Sequence, residues 1–360
     1  MSHAIDSEKL LSSAAETSLP RSDITAPQRD LEAARDRPAG TSLLAGLAPY
    51  VRIARPDHWF KNVFMALGAL LAYFYHPGLF GIRSLLGLLG AAGATCLLAS
   101  SNYVLNEILD APTDRSHPTK RRRPIPAGLV RVPLAYLEWV LLGTAGLAAA
   151  WALDAPFVYA ALMLLIMGIL YNVPPIRSKD LPYIDVLTES VNNPLRLLLG
   201  WFAITQTEFP PVSLLVSYWM VGAFFMATKR FAEYRAIGDR QTAAAYRASF
   251  RHYDEEKLLI SMFFYTSCCA LFLGVFIVRY HLELILVVPL ISGFFSYYLR
   301  MAFKKESAAH SPERLYREWG LMAYLLLCVV AFFGLMFLHI PNLYDLFNVP
   351  PSQVPPLWKL

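Results

Sequence analysis

Long runs of apolar residues, separated by short polar and charged segments, dominate the chain from about residue 59 onward. Each run is long enough to cross the hydrocarbon core of a bilayer as a helix, which takes about 20 residues. The predicted spans are, in order, 59–76, 84–105, 132–152, 156–172, 183–204, 211–228, 258–279, 281–302 and 319–340. This pattern predicts an all-α, polytopic membrane protein with about nine transmembrane helices.

Two features interrupt this regular pattern. The third and fourth spans are separated only by a turn around Asp154 and Pro156, which predicts a tight helical hairpin. The fifth span is the least apolar, and its polar or helix-breaking residues are Glu189, Asn192, Asn193, Pro194 and Arg196. A charged group at the centre of a membrane helix costs about 3 kcal/mol on insertion scales, so we expect these groups to face a cavity. Polar contacts between helices are the alternative explanation.

The two ends of the chain differ from its centre. Residues 1 to about 45 are rich in Ser, Ala, Asp, Glu and Arg without a sustained apolar period, which predicts a disordered cytoplasmic tail. No apolar segment of the signal-peptide type follows the N-terminus, so no cleavable signal is expected. We predict a membrane catalytic domain over 46–340 and a short extracytoplasmic tail over 341–360.

The composition supports a membrane protein, and the distribution of charge predicts its orientation in the membrane. Of the 360 residues 56% are hydrophobic and 16% charged, and the mean hydropathy is +0.41, outside the range of ordinary soluble domains. Lys and Arg concentrate in the connections after the second, fourth, sixth and eighth spans. The positive-inside rule therefore places these connections and the N-terminus in the cytoplasm, and the C-terminus outside. We expect a multi-pass protein of the cell (inner) membrane and no nucleic-acid partner.

The cysteines and histidines carry no predicted metal site. Cys96, Cys268, Cys269 and Cys328 all lie inside apolar runs, which predicts buried, unpaired thiols. The eight histidines show no metal-ligand spacing. The sequence also shows no Gly-rich phosphate loop and no arrangement of Ser, His and Asp typical of nucleophilic catalysis.

The most specific chemical signal begins where the second apolar run ends. Asn106, Asp110 and Asp114 recur at a spacing of four, which keeps their side chains within about 80° of one another on an α-helix. Such converging oxygen ligands suit Mg²⁺, which proteins usually hold together with substrate phosphates. Pro112 cannot donate a hydrogen bond to Ile108, so we expect the helix to kink or end before Asp114.

A basic run, Lys120, Arg121, Arg122 and Arg123, follows directly. A basic run beside a membrane helix is usually only a topology signal, and acidic residues at a helix end are often only solvated. The combination of the run with the Asn-Asp-Asp spacing is far more specific. Together they predict a pyrophosphate site, in which the four cations contact the outer phosphate oxygens.

A second polar cluster follows the fourth span on the same cytoplasmic side. Its residues are Tyr171, Arg177, Lys179, Asp180 and Asp185. We expect Asp185 to be the better metal ligand, because it lies just inside the fifth span, and we expect Asp180 to pair with Lys179.

Two smaller clusters lie at other span ends. Lys229, Arg230 and Glu233 end the sixth span, where an interfacial basic cap is the alternative interpretation. Lys61 and Asn62 lie at the mouth of the first span. Snorkelling to the membrane surface would explain Lys61 alone but not Asn62.

These motifs resemble those of the UbiA superfamily of intramembrane prenyltransferases. The stretch 106–114 fits the superfamily's first motif, N-(D/E)-x-x-D-x-x-x-D, in full. Within the superfamily, the chain is most similar to the decaprenyl-phosphate phosphoribosyltransferase branch. The branch motifs R-P-x-x-W-x-K-N, H-P-x-K-R-x-R-P-I and K-R-x-x-E are matched at 55–62, 117–125 and 229–233. The spacing from Lys179 to Asp185 and on to Arg196 resembles the second motif.

The resemblance covers roughly residues 50 to 340 and implies both a fold and a reaction. The fold is a UbiA-like bundle of nine helices. The reaction is the Mg²⁺-dependent transfer of phosphoribose from phosphoribosyl pyrophosphate to a polyprenyl phosphate. In the alternative reaction, a prenyl pyrophosphate is the donor and an aromatic or other molecule is the acceptor. The number of cytoplasmic cations exceeds what one pyrophosphate needs, which favours the phosphoribosyl donor with its additional 5-phosphate. A transporter is disfavoured because the chain shows no internal repeat.

The residues and the resemblance together give the expected site. The expected catalytic residues are Asn106, Asp110, Asp114, Lys179 and Asp185, and the expected Mg²⁺ ligands are Asp110, Asp114 and Asp185. The expected substrate-binding residues are Lys61, Asn62, Lys120, Arg121, Arg123, Tyr171, Arg177, Arg196, Lys229, Arg230 and Glu233. The expected partners are the polyprenyl phosphate, phosphoribosyl pyrophosphate and the bilayer. Polyprenol length and oligomeric state stay open, a homo-oligomer included.

Overall fold

Helices account for nearly all of the chain that the computed structural model describes, which is residues 43–115, 120–304, 318–350 and 357–359. The helices are α1 (Leu43–Ile53), α2 (Met65–Tyr75), α3 (Ile82–Asp114), α4 (Val132–Trp151), α5 (Ala155–Asn172), α6 (Ile184–Ser190), α7 (Asn192–Phe202), α8 (Val212–Ile237), α9 (Arg240–Tyr246), α10 (Glu255–Tyr280), α11 (Val288–Ala302), α12 (Trp319–Met336) and α13 (Pro341–Leu346). Short 3₁₀ segments connect several of them: Pro56–Phe64, Pro77–Leu79, Lys120–Arg122, Ser178–Asp180, Ala248–Arg251 and Leu282–Val287. Two short strands, β1 (Glu208–Phe209) and β2 (Trp358–Lys359), pair antiparallel.

The chain divides into two compact units, Met1–Ala48 and Pro49–Leu360. Most of the first unit, and with it most of the predicted N-terminal tail, lies outside the described residues. All features discussed below belong to the second unit.

Seven segments of the described chain are long and apolar enough to cross a membrane. They are α3, α4, α5, α8, α10, the continuous segment Leu282–Ala302, and α12. The first and fifth predicted spans are instead interrupted: α2 follows a 3₁₀ segment, and the fifth span is divided into α6 and α7. The prediction of an all-α, polytopic membrane protein is therefore confirmed, whereas the exact count of nine is not.

The division of the fifth span follows from its sequence. Pro194 has no N–H to donate to the carbonyl of Ser190, so one helical hydrogen bond is missing. The side chain of Asn192 donates to the carbonyl of Glu189 at 3.0 Å and so replaces a backbone donor there. Together these residues end α6 at Ser190 and allow α7 to begin at Asn192.

Of the two outcomes expected for the second helix at Pro112, a kink or an end before Asp114, the structure excludes the second. Helix α3 continues through Pro112 and includes Asp114, and the backbone N–H of Arg115 still donates to Ala111 at 3.2 Å. Pro112 removes the hydrogen bond to Ile108, and the helix ends two residues later. The hydroxyl of Thr113 also donates to the carbonyl of Asp110 at 2.9 Å.

The predicted hairpin of the third and fourth spans is present as α4 and α5. The two helices contact each other and are joined by residues 152–154. The carboxylate of Asp154 accepts a hydrogen bond from the backbone N–H of Ala155 at 2.7 Å. This contact satisfies one of the free donors at the start of α5.

Residues beyond 340, predicted as a short tail, contain α13 and β2. Buried Glu283 holds α13 in place, because its carboxylate accepts hydrogen bonds from the backbone N–H of Ile340 at 3.1 Å and from the hydroxyl of Tyr344 at 3.2 Å. The ring of His339 lies 3.2 Å from the same carboxylate. The C-terminal segment is thus attached to the bundle at the 3₁₀ segment Leu282–Val287.

Helices α2 and α7, the two short pieces of interrupted spans, contact each other backbone to backbone. A Cβ atom added at Gly200 would lie 1.8 Å from the carbonyl oxygen of Met65, and one at Gly68 would lie 1.9 Å from that of Leu197. Small residues allow membrane helices to approach closely, where van der Waals contact supplies much of their association energy. This contact joins the two interrupted spans into one unit of the bundle.

We therefore expect Gly200→Ala to lower the free energy of unfolding by about 1–3 kcal/mol, because the added methyl group forces the backbones apart. Thermal unfolding in detergent measures the effect. Gly274→Ala in α10 is the matched control, since nothing lies within 4 Å of a Cβ at that position. Equal melting temperatures for the two variants would contradict the close contact.

Candidate active site

The polar face of α3 and the turn after α5 form one cluster. The ammonium of Lys179 donates to the carboxylate of Asp110 and to the side-chain oxygen of Asn172, the latter at 2.9 Å. It also lies 3.4 Å from the side-chain oxygen of Asn106. The structure thus brings together three predicted catalytic residues, two from α3 and one from a 3₁₀ turn more than sixty positions later.

A second cation, Arg177, approaches the same carboxylate. One of its Nη atoms lies 3.1 Å from Asp110, while its Nε lies 2.9 Å from Asp180. The prediction that Asp180 pairs with Lys179 is therefore wrong, because Lys179 points towards α3 and Arg177 takes the place beside Asp180. Arg177 adopts a left-handed backbone conformation with φ 31°, a strained state that is often found at functional sites.

The basic run after α3 turns back onto the helix. Arg123 Nη1 lies 2.7 Å from one oxygen of Asp114, and Lys120 Nζ lies 3.9 Å from the other. Arg121 and Arg122, between them, are exposed. Asp110 and Asp114 are thus each held by two cations, which places four positive side chains around two carboxylates.

This donor set fits one kind of metal site. Among the described residues, no group of three or more His, Cys, Asp and Glu side chains could enclose a metal ion. Asp110 and Asp114 nevertheless lie on one helix face with the amide oxygen of Asn106 nearby. Mg²⁺ is commonly held by one or two carboxylates together with substrate phosphates, so these residues fit a Mg²⁺ ion that is shared with a pyrophosphate.

Asp185, predicted as a third metal ligand, lies in a separate buried network. It is fully buried, and the hydroxyl of Tyr253 donates to one of its oxygens at 2.7 Å. Ser249 and Arg230 each donate to the other oxygen at 3.2 Å. Protein donors thus engage both oxygens, and a metal-binding role for Asp185 stays a prediction.

Arg230 is the centre of this network. Its side chain is enclosed, with 1% of the residue exposed, and it pairs with Asp185, with Glu189 at 2.6 Å and with Glu233 at 3.4 Å. The substrate-binding role of Arg230 and Glu233 stays a prediction, and in this structure their charged groups pair with each other inside the protein. Lys229 is half-buried and lies 4.0 Å from Glu233.

The loop 247–254 supplies residues that the sequence analysis did not select. Arg247 donates to the hydroxyl of Tyr171 at 3.1 Å and lies 3.5 Å from Asp185. Ser249 and Tyr253 come from the same loop. Burial, and next the charge of Asp185, raise the pKa of the Tyr253 hydroxyl, which therefore stays a proton donor. The basic character of the loop was the only signal in the sequence, and it did not indicate these long-range contacts.

Tyr171 connects the two networks. Its hydroxyl donates to Glu189 at 3.1 Å, and the ammonium of Lys179 lies 5.9 Å from the centre of its ring. Tyr171 thus contacts one residue of each network.

Asn62 and Arg196, from the two interrupted spans, form a third polar group. Arg196 Nε donates to Asn62 at 3.0 Å, and Arg196 Nη1 donates to the carbonyl of Asn192 at 3.2 Å. Both side chains are buried, whereas Lys61 is partly exposed. Arg196 pairs with no carboxylate of the described chain, and Glu189, its nearest candidate in the sequence, pairs with Arg230 instead. A buried cation without a carboxylate partner fits a site that receives an anion.

The cysteines are unpaired, as predicted. Cys269 and Cys328 are buried, while Cys96 and Cys268 are partly exposed. Cys96 accepts a hydrogen bond from the side chain of Asn62 at 3.2 Å.

The site should lose function at alkaline pH through Lys179. Burial lowers the pKa of its ammonium below that of an ordinary lysine, although Asp110 opposes this effect. Because the charged form pairs with Asp110 and attracts phosphate, we expect kcat/KM to fall as pH rises through a value below about 10.5. An arginine at position 179 keeps its charge at any such pH. In the pH–rate profile of Lys179→Arg, the alkaline limb should therefore move to higher pH.

Two variants make this test specific. Burial also lowers the pKa of Lys120, so Lys120→Arg is measured separately. Lys257→Arg, at an exposed lysine paired with Asp254, serves as the control. An alkaline limb that does not move in Lys179→Arg would exclude Lys179 as the titrating group.

Comparison with known proteins gives the family and the fold of this chain. The family model described as the UbiA prenyltransferase family matches residues 62–325. The decaprenyl-phosphate phosphoribosyltransferase of Mycobacterium tuberculosis is 32% identical over 219 residues, which cover 59% of this chain and 67% of that protein. The protoheme IX farnesyltransferase of Pseudomonas savastanoi pv. phaseolicola is 29% identical over 195 residues, which cover 53% of this chain and 64% of that protein.

A solved structure shares the fold. The UbiA homolog from Archaeoglobus fulgidus, bound to GPP and Mg²⁺, superposes with a TM-score of 0.56 at 18% sequence identity. The match covers 81% of this chain and 100% of that one. The family match spans most of the chain and includes α3, the turn of Lys179 and the Arg230 network. The chain therefore belongs to the UbiA prenyltransferase family.

Proposed function

We propose that this protein transfers phosphoribose from phosphoribosyl pyrophosphate to a polyprenyl phosphate in the membrane, with Mg²⁺ as cofactor. The observation that carries the proposal is the set of four cations, Lys120, Arg123, Arg177 and Lys179, around the two carboxylates of α3. Such a set can bind more than one phosphate group. The similarity to a decaprenyl-phosphate phosphoribosyltransferase supports the same substrates.

In the proposed reaction, one bond is exchanged at the anomeric carbon of the ribose. An oxygen of the polyprenyl phosphate attacks this carbon, the bond to the pyrophosphate oxygen breaks, and pyrophosphate leaves with the bonding electrons. The acceptor phosphate is already ionised, so no side chain needs to remove a proton. The protein therefore acts by orienting the two substrates and by stabilising the charge on the leaving group.

Asp110 and Asp114, helped by Asn106, would hold Mg²⁺. When bound, the ion neutralises the charge that develops on the pyrophosphate. The cations that now pair with the carboxylates would then contact phosphate oxygens, and the arginines can do so through two parallel hydrogen bonds.

Two further groups of predicted residues, those around Arg196 and those at the end of α8, have separate roles in this proposal. Arg196 and Asn62, with Lys61 nearby, receive the phosphate of the lipid acceptor, since Arg196 is buried and pairs with no carboxylate of the described chain. Lys229 contacts the 5-phosphate of the donor, while Arg230 and Glu233 hold its helix in place. The concentration of basic residues in the connections on this side favours a cytoplasmic site in the inner membrane.

Prenyl transfer is the second candidate. The relative named protoheme IX farnesyltransferase favours it, as does the Archaeoglobus fulgidus homolog bound to GPP and Mg²⁺. In that reaction the same carboxylates would hold the pyrophosphate of a prenyl donor, and an acceptor would capture the prenyl cation beside them.

Donor-dependent thermal stabilisation distinguishes the two reactions. A ligand at a hundred times its Kd stabilises the native state by about 2.7 kcal/mol. We expect phosphoribosyl pyrophosphate with Mg²⁺ to raise the melting temperature of the purified protein, and Asp110→Asn to abolish the response. Stabilisation by a prenyl pyrophosphate but not by phosphoribosyl pyrophosphate would overturn the proposal and favour prenyl transfer.

A further inference from the structure

A cleft lined in part by charged side chains lies between the residues that precede the first apolar span and the turn that follows α3. Its volume is about 570 Å³. The charged side chains that line it are Arg52, Arg55, Asp57, Glu107, Arg122 and Arg123. Four guanidinium groups thus face two carboxylates. Of these residues, Arg123 pairs with Asp114 in the candidate active site, and Arg122 belongs to the basic run that follows α3.

Each of the two carboxylates has a contact with a group other than an arginine. Buried Glu107 accepts a hydrogen bond from the backbone N–H of Ile125 at 3.1 Å. Asp57 is exposed and lies 3.4 Å from the ring of His58. Neither lies within ion-pair distance of an arginine in the described chain.

Three of the four arginines lack a carboxylate partner among the described residues. Arg123 pairs with Asp114, but Arg52, Arg55 and Arg122 form no ion pair with that part of the chain. Arg52 and Arg122 are exposed at the edge of the cleft, and Arg55 is half-buried. The cleft therefore presents three guanidinium groups that can still bind an anion.

The backbone and side chain of Arg55 are held in a specific conformation. Its φ of 53° and ψ of 57° lie in the left-handed region, which costs a non-glycine residue free energy. Its carbonyl accepts from the N–H of His58 at 2.9 Å, and its guanidinium lies 5.7 Å from the centre of the Tyr103 ring. The strained turn thus orients one side of the cleft.

The cleft borders an apolar surface. The 3₁₀ segment that begins at Pro56 exposes Trp59, Phe60, Val63 and Phe64. Exposed aromatic and aliphatic side chains of a membrane protein contact lipid, and aromatic residues concentrate near the headgroups. The cationic cleft is therefore next to a surface suited to the lipid boundary.

We propose that this cleft binds a phosphate group that the reaction does not consume, with Arg52, Arg55 and Arg122 as its hydrogen-bond donors. Planar guanidinium groups match the geometry of phosphate oxygens and bind them through paired hydrogen bonds. The phosphate belongs either to the headgroup of an anionic membrane lipid or to a free phosphate anion. Its binding is separate from the proposed transfer reaction.

The first arm of the test measures lipid retention. The full-length protein is purified from bilayers of phosphatidylcholine and phosphatidylglycerol, and bound lipids are counted by native mass spectrometry. We expect the wild type to retain phosphatidylglycerol. In the double variant Arg52→Gln/Arg122→Gln, the affinity for this lipid should fall roughly fivefold for each arginine removed. The control carries Arg131→Gln with Arg240→Gln, two exposed arginines outside the cleft, and should retain the lipid.

The second arm replaces the lipid with inorganic phosphate in neutral detergent and follows the melting temperature. A response that the cleft variant loses and the control variant keeps identifies a free phosphate as the ligand. A cleft variant that behaves as the wild type in both arms overturns the proposal. An equal loss in the control variant also overturns it, because the effect would then be general electrostatic attraction. Neither arm contains donor or acceptor, so the result is independent of the transfer reaction.

Discussion

Asp110→Asn and Asp114→Asn should each reduce turnover by at least about a hundredfold, because each removes a negative charge that would help to hold Mg²⁺ beside the leaving group. Folding should change little. In Asp110→Asn, Lys179 keeps its hydrogen bond to Asn172, and Arg177 keeps its ion pair with Asp180. Turnover is measured at saturating Mg²⁺, and folding by the melting temperature in detergent.

Asp180→Asn is the matched control for this prediction. It removes a more exposed carboxylate from the same cluster, whose partner is Arg177, so we expect turnover within a few-fold of the wild type. Near-normal turnover in both Asp110→Asn and Asp114→Asn would remove the metal site from the proposed mechanism.

Arg230→Ala should have the largest effect on stability. The change leaves Asp185, Glu189 and Glu233 without their shared cation. Removing one partner of a buried ion pair typically costs about 3–5 kcal/mol, because the remaining charge is uncompensated. We therefore expect a large fall in the melting temperature, accompanied by loss of protein during purification.

An exposed ion pair provides the comparison. Arg235 and Glu255 lie 2.8 Å apart with both side chains substantially exposed, and such pairs contribute about 1 kcal/mol or less. Arg235→Ala removes this pair and two cation–π contacts, with Phe231 and Phe303, so it should lower the melting temperature far less than Arg230→Ala. If Arg230→Ala unfolds at the same temperature as Arg235→Ala and changes only the donor KM, Arg230 is a substrate contact and its structural role is wrong.

Local patterns in the sequence predicted much of the fold and part of the site. Hydropathy predicted the all-α membrane architecture, and the short polar turn at Asp154 predicted the hairpin of α4 and α5. The spacing of Asn106, Asp110 and Asp114 placed these side chains on one helix face, because helical periodicity is a local property. The motifs around them also led to the family that the comparisons confirmed.

Other features depended on contacts between distant segments. The partner of Lys179 is Asp110 on α3 and not its neighbour Asp180, since burial of the turn decides which carboxylate it meets. The roles of Arg230 and Arg247 likewise come from helices that only the folded bundle brings together. Basic residues at a membrane boundary have the same appearance in a sequence whether they bind substrate, neutralise buried carboxylates or only set topology.

Phosphoribosyl transfer can be followed with a label in the donor. The purified protein is incubated with Mg²⁺, decaprenyl phosphate and phosphoribosyl pyrophosphate labelled in the ribose, and the lipid fraction is then extracted. We predict that the label enters the lipid fraction in the wild type and not in Asp110→Asn. No label in the lipid, together with transfer from a labelled prenyl pyrophosphate to an acceptor, would show that the protein is a prenyltransferase and not a phosphoribosyltransferase.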